Sequence, residues 1–205
     1  MAVPKTVVQK TAFLVGIALT LSLIVVFGCT KSVDVLRDGG FETQAPDQAG
    51  PVGWSVTRVP HTKDFVAFAW DDRVSHTGTR SVSISIDESH PDDQIDYNWN
   101  RAVPECRPGK TYEVTGWVKA HNLKSTAFIV VQCWDNAFSK MLSFATTQQE
   151  FQITGTTDWV QVKITIGIPV ETRRVMILAG IRAPDNRGGK VWFDDFQIAP
   201  VADNP

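Results

Sequence analysis

The chain has 205 residues, with 20 basic and 22 acidic side chains and a formal net charge of −2. That length suits one domain of ordinary size plus a targeting segment. The balanced charge, without long blocks of one sign, argues against nucleic acid or an anionic surface as a partner. Seven tryptophans and eleven phenylalanines accompany only two tyrosines, which is more indole than a core of this size needs.

The first 28 residues are predicted to be a targeting segment. Lys5 and Lys10 precede an uncharged apolar run of about 18 residues, which ends at Gly28 and is followed directly by Cys29. The sequence Val26-Phe27-Gly28-Cys29 resembles a bacterial lipobox, which implies cleavage before Cys29 and lipidation of that residue. An uncleaved membrane anchor and simple secretion are the alternatives. We therefore expect an exported protein, anchored to a membrane of the bacterial cell envelope in the first two cases.

The remaining chain is predicted to be all-β. Residues 29–34 form a tether, 35–199 the folded domain and 200–205 a tail. No segment beyond residue 30 has the pattern of a long helix. Strands are predicted from apolar–polar alternation or from continuous apolar runs, and they are Arg80–Asp87, Tyr112–Val118, Ala127–Trp134, Trp159–Ile166 and Val175–Ile181. Short strands separated by Gly/Pro-rich turns predict a two-sheet antiparallel β-sandwich or jelly roll.

The two ends of this domain have matching patterns. Val35–Glu42 and Gly189–Ile198 each combine apolar residues with carboxylates at a fixed offset from an aromatic residue. Such a pair is expected if the first and last strands lie side by side and share a cation.

Several motifs occur in an order that resembles a known family. They are Leu36–Glu42 with Gly53-Trp54, Ser75–Val82, Pro108–Tyr112, Gly116–Ala120, Asp158–Val160 and Val191–Asp195. Together they resemble the carbohydrate-binding modules of the family 4, 9 and 22 type, within the galactose-binding-domain-like jelly rolls. The resemblance covers about residues 33 to 198, and it implies a β-sandwich with a structural calcium ion near the paired ends.

The resemblance also implies which residues hold that Ca²⁺. Glu42 and Asp194 are the expected side-chain ligands, with Asp38 and carbonyls of the Ser75–Arg80 turn as further contributors. Calcium accepts six to eight hard oxygen ligands in loose geometry, so these residue types suit it. The alternative is that Glu42 and Asp194 are solvated carboxylates at strand ends.

The sequence does not decide whether two further cysteines, Cys106 and Cys133, form a disulfide. An exported compartment permits the bridge. If the flanking strands formed a simple hairpin that turns near Asn122, however, Cys133 would oppose Tyr112 instead. A bridged pair and two reduced, partly buried thiols both remain possible interpretations.

Sugars are recognised by flat aromatic faces and by planar polar side chains. Gln132 and Trp134 share one face of their strand, and Arg182 ends an otherwise apolar face of another. Tyr97 and Trp99 share a face in a segment where the family often places a stacking aromatic. The hypothesis is a ligand groove lined by Trp99, Trp134, Gln132 and Arg182, with Tyr97 and Trp70 as weaker members.

The sequence predicts no enzyme. It contains no nucleophile elbow, phosphate loop or zinc-protease motif, and its acidic residues lie mostly in turns or in the predicted calcium site. The expected function is non-catalytic binding of a polysaccharide or oligosaccharide by an envelope lipoprotein. The alternative is a structural or protein-interaction jelly roll without sugar binding, which is favoured if Trp99 and Trp134 are both buried.

Overall fold

The computed structural model describes residues 34–46 and 48–202, and within them ten strands form two five-stranded antiparallel sheets. Cys29 and the predicted targeting segment lie outside the described residues. Sheet I consists, in spatial order, of Ser55–Val56 (β1), Ile95–Ala102 (β4), Arg174–Ala183 (β9), Phe128–Trp134 (β6) and Met141–Thr146 (β7). Sheet II consists of Val66–Asp71 (β2), Ser81–Ile86 (β3), Lys190–Pro200 (β10), Thr111–Leu123 (β5) and Gly155–Gly167 (β8).

Alternation along the strands builds the core between the two sheets. In β5 every second residue from Tyr112 to Ala120 is buried, and in β9 Val175, Ile177, Ala179 and Ile181 face inward in the same way. Each fully buried Val or Ile side chain stabilises the fold by about 1.5–3 kcal/mol relative to exposure. The predicted all-β sandwich is thus confirmed.

Helical structure is confined to two short 3-10 segments among the described residues, Pro60–Phe65 and Thr147–Gln149. No helix within residues 34–46 and 48–202 is long and apolar enough to cross a membrane.

The strands that flank Asn122 do not form a hairpin, because β5 belongs to sheet II and β6 to sheet I. Cys133 instead lies opposite Val175 and Ser143. Cys106 and Cys133 are both buried free thiols, so the reduced alternative holds in this structure. Burial raises the pKa of Cys106 to about 12, which makes this thiol a poor nucleophile at neutral pH.

The two ends of the domain lie side by side, as predicted, although the first is a turn-rich segment and not a strand. The N–H of Val35 donates to the carbonyl of Ile198 at 2.8 Å, and the N–H of Phe196 donates to the carbonyl of Gly39 at 3.0 Å. The first segment therefore follows β10 without joining the sheet.

Candidate functional site

Tyr97 and Trp99 do not lie on the outer face of sheet I with Gln132 and Trp134, so the groove predicted from the sequence is wrong for these two residues. Tyr97 is 0% exposed and Trp99 5% exposed. The Tyr97 hydroxyl donates to Thr62 Oγ1 at 2.6 Å, and the Trp99 indole N–H donates to the Ser83 carbonyl at 3.1 Å. Both side chains are therefore part of the core and already have hydrogen-bond partners.

The register of β4 explains this outcome. Tyr97 pairs with Ile181 and Trp99 with Ala179, which are inward positions of β9. Paired residues of neighbouring strands share one face of the sheet. The sequence pattern correctly placed Tyr97 and Trp99 on the same face, but the interleaved Asp96, Asn98 and Asn100 occupy the outer one.

Trp70 also lies away from the predicted groove. It belongs to β2 of sheet II and pairs with the buried Val82. Its indole N–H donates to the Phe41 carbonyl at 2.7 Å, and the Arg80 guanidinium lies 4.3 Å from the ring centroid. These contacts assign Trp70 a structural role at the paired ends.

Gln132 and Trp134 do lie on the outer face of sheet I, at the end of β6. The Trp134 indole N–H donates to Gln132 Oε1 at 3.0 Å. The Trp134 ring stacks on Phe138, with ring centroids 5.0 Å apart and an interplanar angle of 27°. The guanidinium of Arg174, the β9 partner of Trp134, lies 4.4 Å from the Phe138 centroid.

Three large apolar side chains near Trp134 are exposed to solvent. Phe138 is 39% exposed, Met141 42% and Phe144 56%. Phe144 lies directly opposite Gln132 in the pairing of β6 with β7, so it shares the outer face. We call Trp134, Phe138, Met141 and Phe144 the aromatic patch. The sequence analysis missed its last three members. They could have been found as large apolar residues in the otherwise polar turn and edge strand that follow β6.

Arg182 shares this outer face but is far from the aromatic patch. It lies eight positions after Arg174 in β9, about 27 Å along an extended strand. Arg182 forms a two-point ion pair with Asp96 at 2.7 and 3.0 Å. Hydrogen bonding to that carboxylate, and its charge, raise the pKa of Arg182. The guanidinium is thus engaged with Asp96, while Asn100 contributes an amide to the face between the two ends and the Asn98 amide is buried.

The predicted cation ligands form a hydrogen-bonded cluster with the turn at residues 75–80. Glu42 Oε1 accepts the N–H groups of Thr79 at 2.9 Å and Arg80 at 3.0 Å, and Oε2 accepts the Thr79 hydroxyl at 2.8 Å. Although desolvation opposes it, these donors keep the pKa of Glu42 below its usual range. A Cβ at Gly78, where φ is +61°, would collide with this carboxylate, so the turn requires glycine.

Asp194 completes the same cluster from β10. Its Oδ2 accepts the N–H groups of His76 at 2.7 Å and Thr77 at 3.4 Å, and its Oδ1 accepts the N–H of Asp195 at 2.7 Å. Asp194 is 0% exposed, and this burial raises its pKa to about 6. We call Glu42, Asp194 and the turn at residues 75–80 the terminal clasp.

The predicted calcium ligands accept hydrogen bonds from within the chain in this structure. The oxygens of Glu42 and Asp194 face N–H and O–H donors, whereas a calcium ion requires converging oxygen ligands. The Asp38 carboxylate is engaged by the N–H groups of Glu42 and Thr43, at 3.0 and 3.2 Å. Within residues 34–46 and 48–202, no group of three or more His, Cys, Asp or Glu side chains is arranged to hold a metal ion.

Sequence comparison assigns no family to the chain. No protein-family model matches it, and the curated proteins include no sequence match to it. Solved structures, in contrast, share its fold. The module TmCBM61 in complex with β-1,4-galactotriose has a TM-score of 0.52 at 20% identity, over 83% of this chain and 100% of that one.

Two other solved structures extend this comparison. The CBM22-1 xylan-binding domain of Paenibacillus barcinonensis Xyn10C has a TM-score of 0.57 at 13% identity, over 84% of this chain and 97% of that one. The enzymatically active domain of bacteriophage CBA120 tailspike protein 4 has a TM-score of 0.56 at 14% identity, but the chain covers only 21% of it. The chain has the jelly-roll fold of carbohydrate-binding modules.

Proposed function

We propose that the protein is a non-catalytic glycan-binding module whose ligand stacks on the aromatic patch. The observation that carries the proposal is Phe144, a ring that is 56% exposed and has no ring or cation partner among the described residues. It lies beside the stacked pair of Trp134 and Phe138. Exposed contiguous apolar surface on a soluble domain indicates a binding site.

The chemistry of this face suits a sugar ring. Aromatic faces pack on the C–H groups of a pyranose, and planar polar groups orient its hydroxyls. Gln132 and Arg174 provide such groups beside the patch, and Asn100 adds an amide on β4. A linear oligosaccharide that lies across the strands would contact both kinds of side chain.

Two similar modules suggest the ligands to test first. TmCBM61 was crystallised with β-1,4-galactotriose, and the module from Xyn10C is a xylan-binding domain. We therefore choose β-1,4-galactotriose and xylohexaose as the first probes, within a wider glycan array. A single module of this kind is expected to bind with a dissociation constant on the order of micromolar to millimolar.

Calorimetric titration of three variants tests the proposal. We expect Phe144→Ala and Trp134→Ala each to weaken binding about tenfold, since each removes a stacking surface. Trp159→Ala is the matched control, because Trp159 is a partly exposed indole on the outer face of sheet II. Equal loss in the control, or unchanged affinity in a folded Phe144→Ala/Trp134→Ala double variant, would contradict the proposal.

The alternative function is a protein-interaction domain of the envelope. Two aromatic residues of the predicted groove are buried, and Met141 and Phe144 are also residue types that protein interfaces use. If the array yields no saturable glycan and the Phe144→Ala variant loses a protein partner, this alternative is correct.

The proposed location is the bacterial cell envelope, through a lipid on Cys29. Its support is the lipobox-like sequence at residues 26–29. Mass spectrometry of the mature N-terminus would detect the diacylglyceryl group. We expect Cys29→Ser to lose the lipid, whereas Thr30→Ser, the matched control, keeps it. An unmodified Cys29 in the mature protein would contradict lipidation.

A further inference from the structure

A cavity of about 530 Å³ lies at one edge of the sandwich, between the edge strands β1 and β2. Its volume is within the range of small-molecule sites, roughly 300–1,000 Å³. The cavity shares no residue with the aromatic patch, and the proposed glycan function does not use it.

The deep wall of the cavity is apolar. Val56, Val66 and Phe68 contribute to it together with the indoles of Trp54 and Trp99. Trp99 and Phe68 pack edge to face with centroids 5.9 Å apart, which fixes this wall. Trp54 and Trp99 are only 1% and 5% exposed. They therefore leave no open ring face on which a sugar could stack.

Trp54 adds an unusual polar feature to this wall. Its indole N–H is buried and has no hydrogen-bond acceptor among the described residues, whereas the Trp99 N–H donates to Ser83. A buried donor without an acceptor costs about 1–3 kcal/mol, so such groups usually have a partner in the functional state.

The rim of the cavity is positively charged. Arg58 and Lys63 line it, both are exposed, and neither forms an ion pair with any described residue. No acidic side chain is among the described residues that line the cavity. Two unpaired cations above an apolar wall complement a ligand with an apolar body and an anionic group.

We propose that this cavity is a second ligand site, which binds a small carboxylic acid with an aromatic or branched aliphatic body. The body packs against Phe68, Val56 and Val66, and the carboxylate pairs with Arg58 and Lys63. A neutral sugar is disfavoured here, because its hydroxyls would lose water against apolar side chains that cannot hydrogen-bond.

Blocking the cavity tests its occupation. The probe is 4-phenylbutyrate, titrated by calorimetry and by NMR of the indole N–H groups. Gly50 lines the cavity, and a Cβ there meets nothing within 4 Å, so Gly50→Leu adds a side chain without a direct clash. We expect this variant to lose binding at least about tenfold. Gly167→Leu is the matched control, because its Cβ meets only Thr111 Oγ1 at 3.9 Å.

Removing the charges tests the carboxylate. We expect the double variant Arg58→Gln/Lys63→Gln to bind 4-phenylbutyrate about tenfold more weakly. Its affinity for the uncharged analogue 4-phenyl-1-butanol is expected to stay unchanged. Thermal melts establish that each variant is folded, and the charge variant decides the question if Gly50→Leu does not fold. Absence of 4-phenylbutyrate binding at millimolar concentration, or equal affinity of the charge variant for it, would overturn the proposal. Glycan binding at the aromatic patch is independent of either result.

Discussion

The terminal clasp and the aromatic patch use their side chains in opposite ways. In the clasp, every carboxylate oxygen of Glu42 and Asp194 accepts at least one hydrogen bond from within the chain. In the patch, Phe144, Met141 and Phe138 remain exposed. The clasp has therefore used its polar groups in folding, whereas the patch keeps surface available to a ligand. The most recognisable motifs in the sequence hold the fold together, and the proposed binding surface lies elsewhere.

The sharpest test of this comparison is stability. Asp194→Ala would leave the partly buried N–H groups of His76 and Asp195 without an acceptor, so we expect it to lower the free energy of unfolding by about 1–3 kcal/mol. Phe144→Ala, on the exposed patch, is expected to change it by less than about 0.5 kcal/mol. Urea denaturation measures both. Similar losses in the two variants would remove the distinction between clasp and patch.

The second test is the pH dependence of the clasp. Burial raises the pKa of Asp194 to about 6, above the value of about 3.9 in an unfolded chain. The folded state therefore binds more protons between these values, and the free energy of unfolding is expected to fall as pH rises from about 4 to about 6. We expect this contribution to be about 1–3 kcal/mol and to be absent in Asp194→Asn. An unchanged slope in that variant would show that another group titrates.

The sequence predicted the fold better than the site for a physical reason. Alternation in β5 and β8 marks strands directly, because a period of two produces one buried and one outer face. The pattern does not say which face is buried when both carry aromatic or amide residues. In β4, Tyr97 and Trp99 alternate with Asn98 and Asn100, and only pairing with Ile181 and Ala179 places the aromatics inside.

The aromatic patch was harder to predict because its members come from separate segments. Gln132 and Trp134 were found by their shared face in β6, a prediction that the structure confirms in position. Phe138 lies in the turn that follows and Phe144 on the edge strand β7. Their proximity depends on the β6–β7 register, including its shift between Cys133 and Trp134, which has no local mark in the sequence.

A smaller effect is expected at the far end of sheet I. Arg182→Gln removes an exposed ion pair with Asp96, which is worth about 0.5 kcal/mol at a protein surface. We expect the affinity for β-1,4-galactotriose to stay within about twofold, because Arg182 lies about 27 Å along the strand from Arg174. Arg174→Gln is the matched comparison and should weaken binding. Loss of affinity in Arg182→Gln alone would return this residue to the binding site.

The smallest expected effect is that of chelation on the clasp. Because Glu42 and Asp194 are satisfied by N–H and O–H donors of the turn at residues 75–80, we expect EDTA to leave the melting temperature unchanged and added Ca²⁺ to have no effect. Differential scanning fluorimetry of the domain measures both, with Glu42→Gln as the control for a carboxylate-dependent response. A melting temperature that falls with EDTA and recovers with Ca²⁺, but does neither in Glu42→Gln, would mean that the carboxylates turn from these donors to bind an ion. In that case the clasp would be a metal site, and its carboxylates would be satisfied by the ion and not by backbone N–H groups.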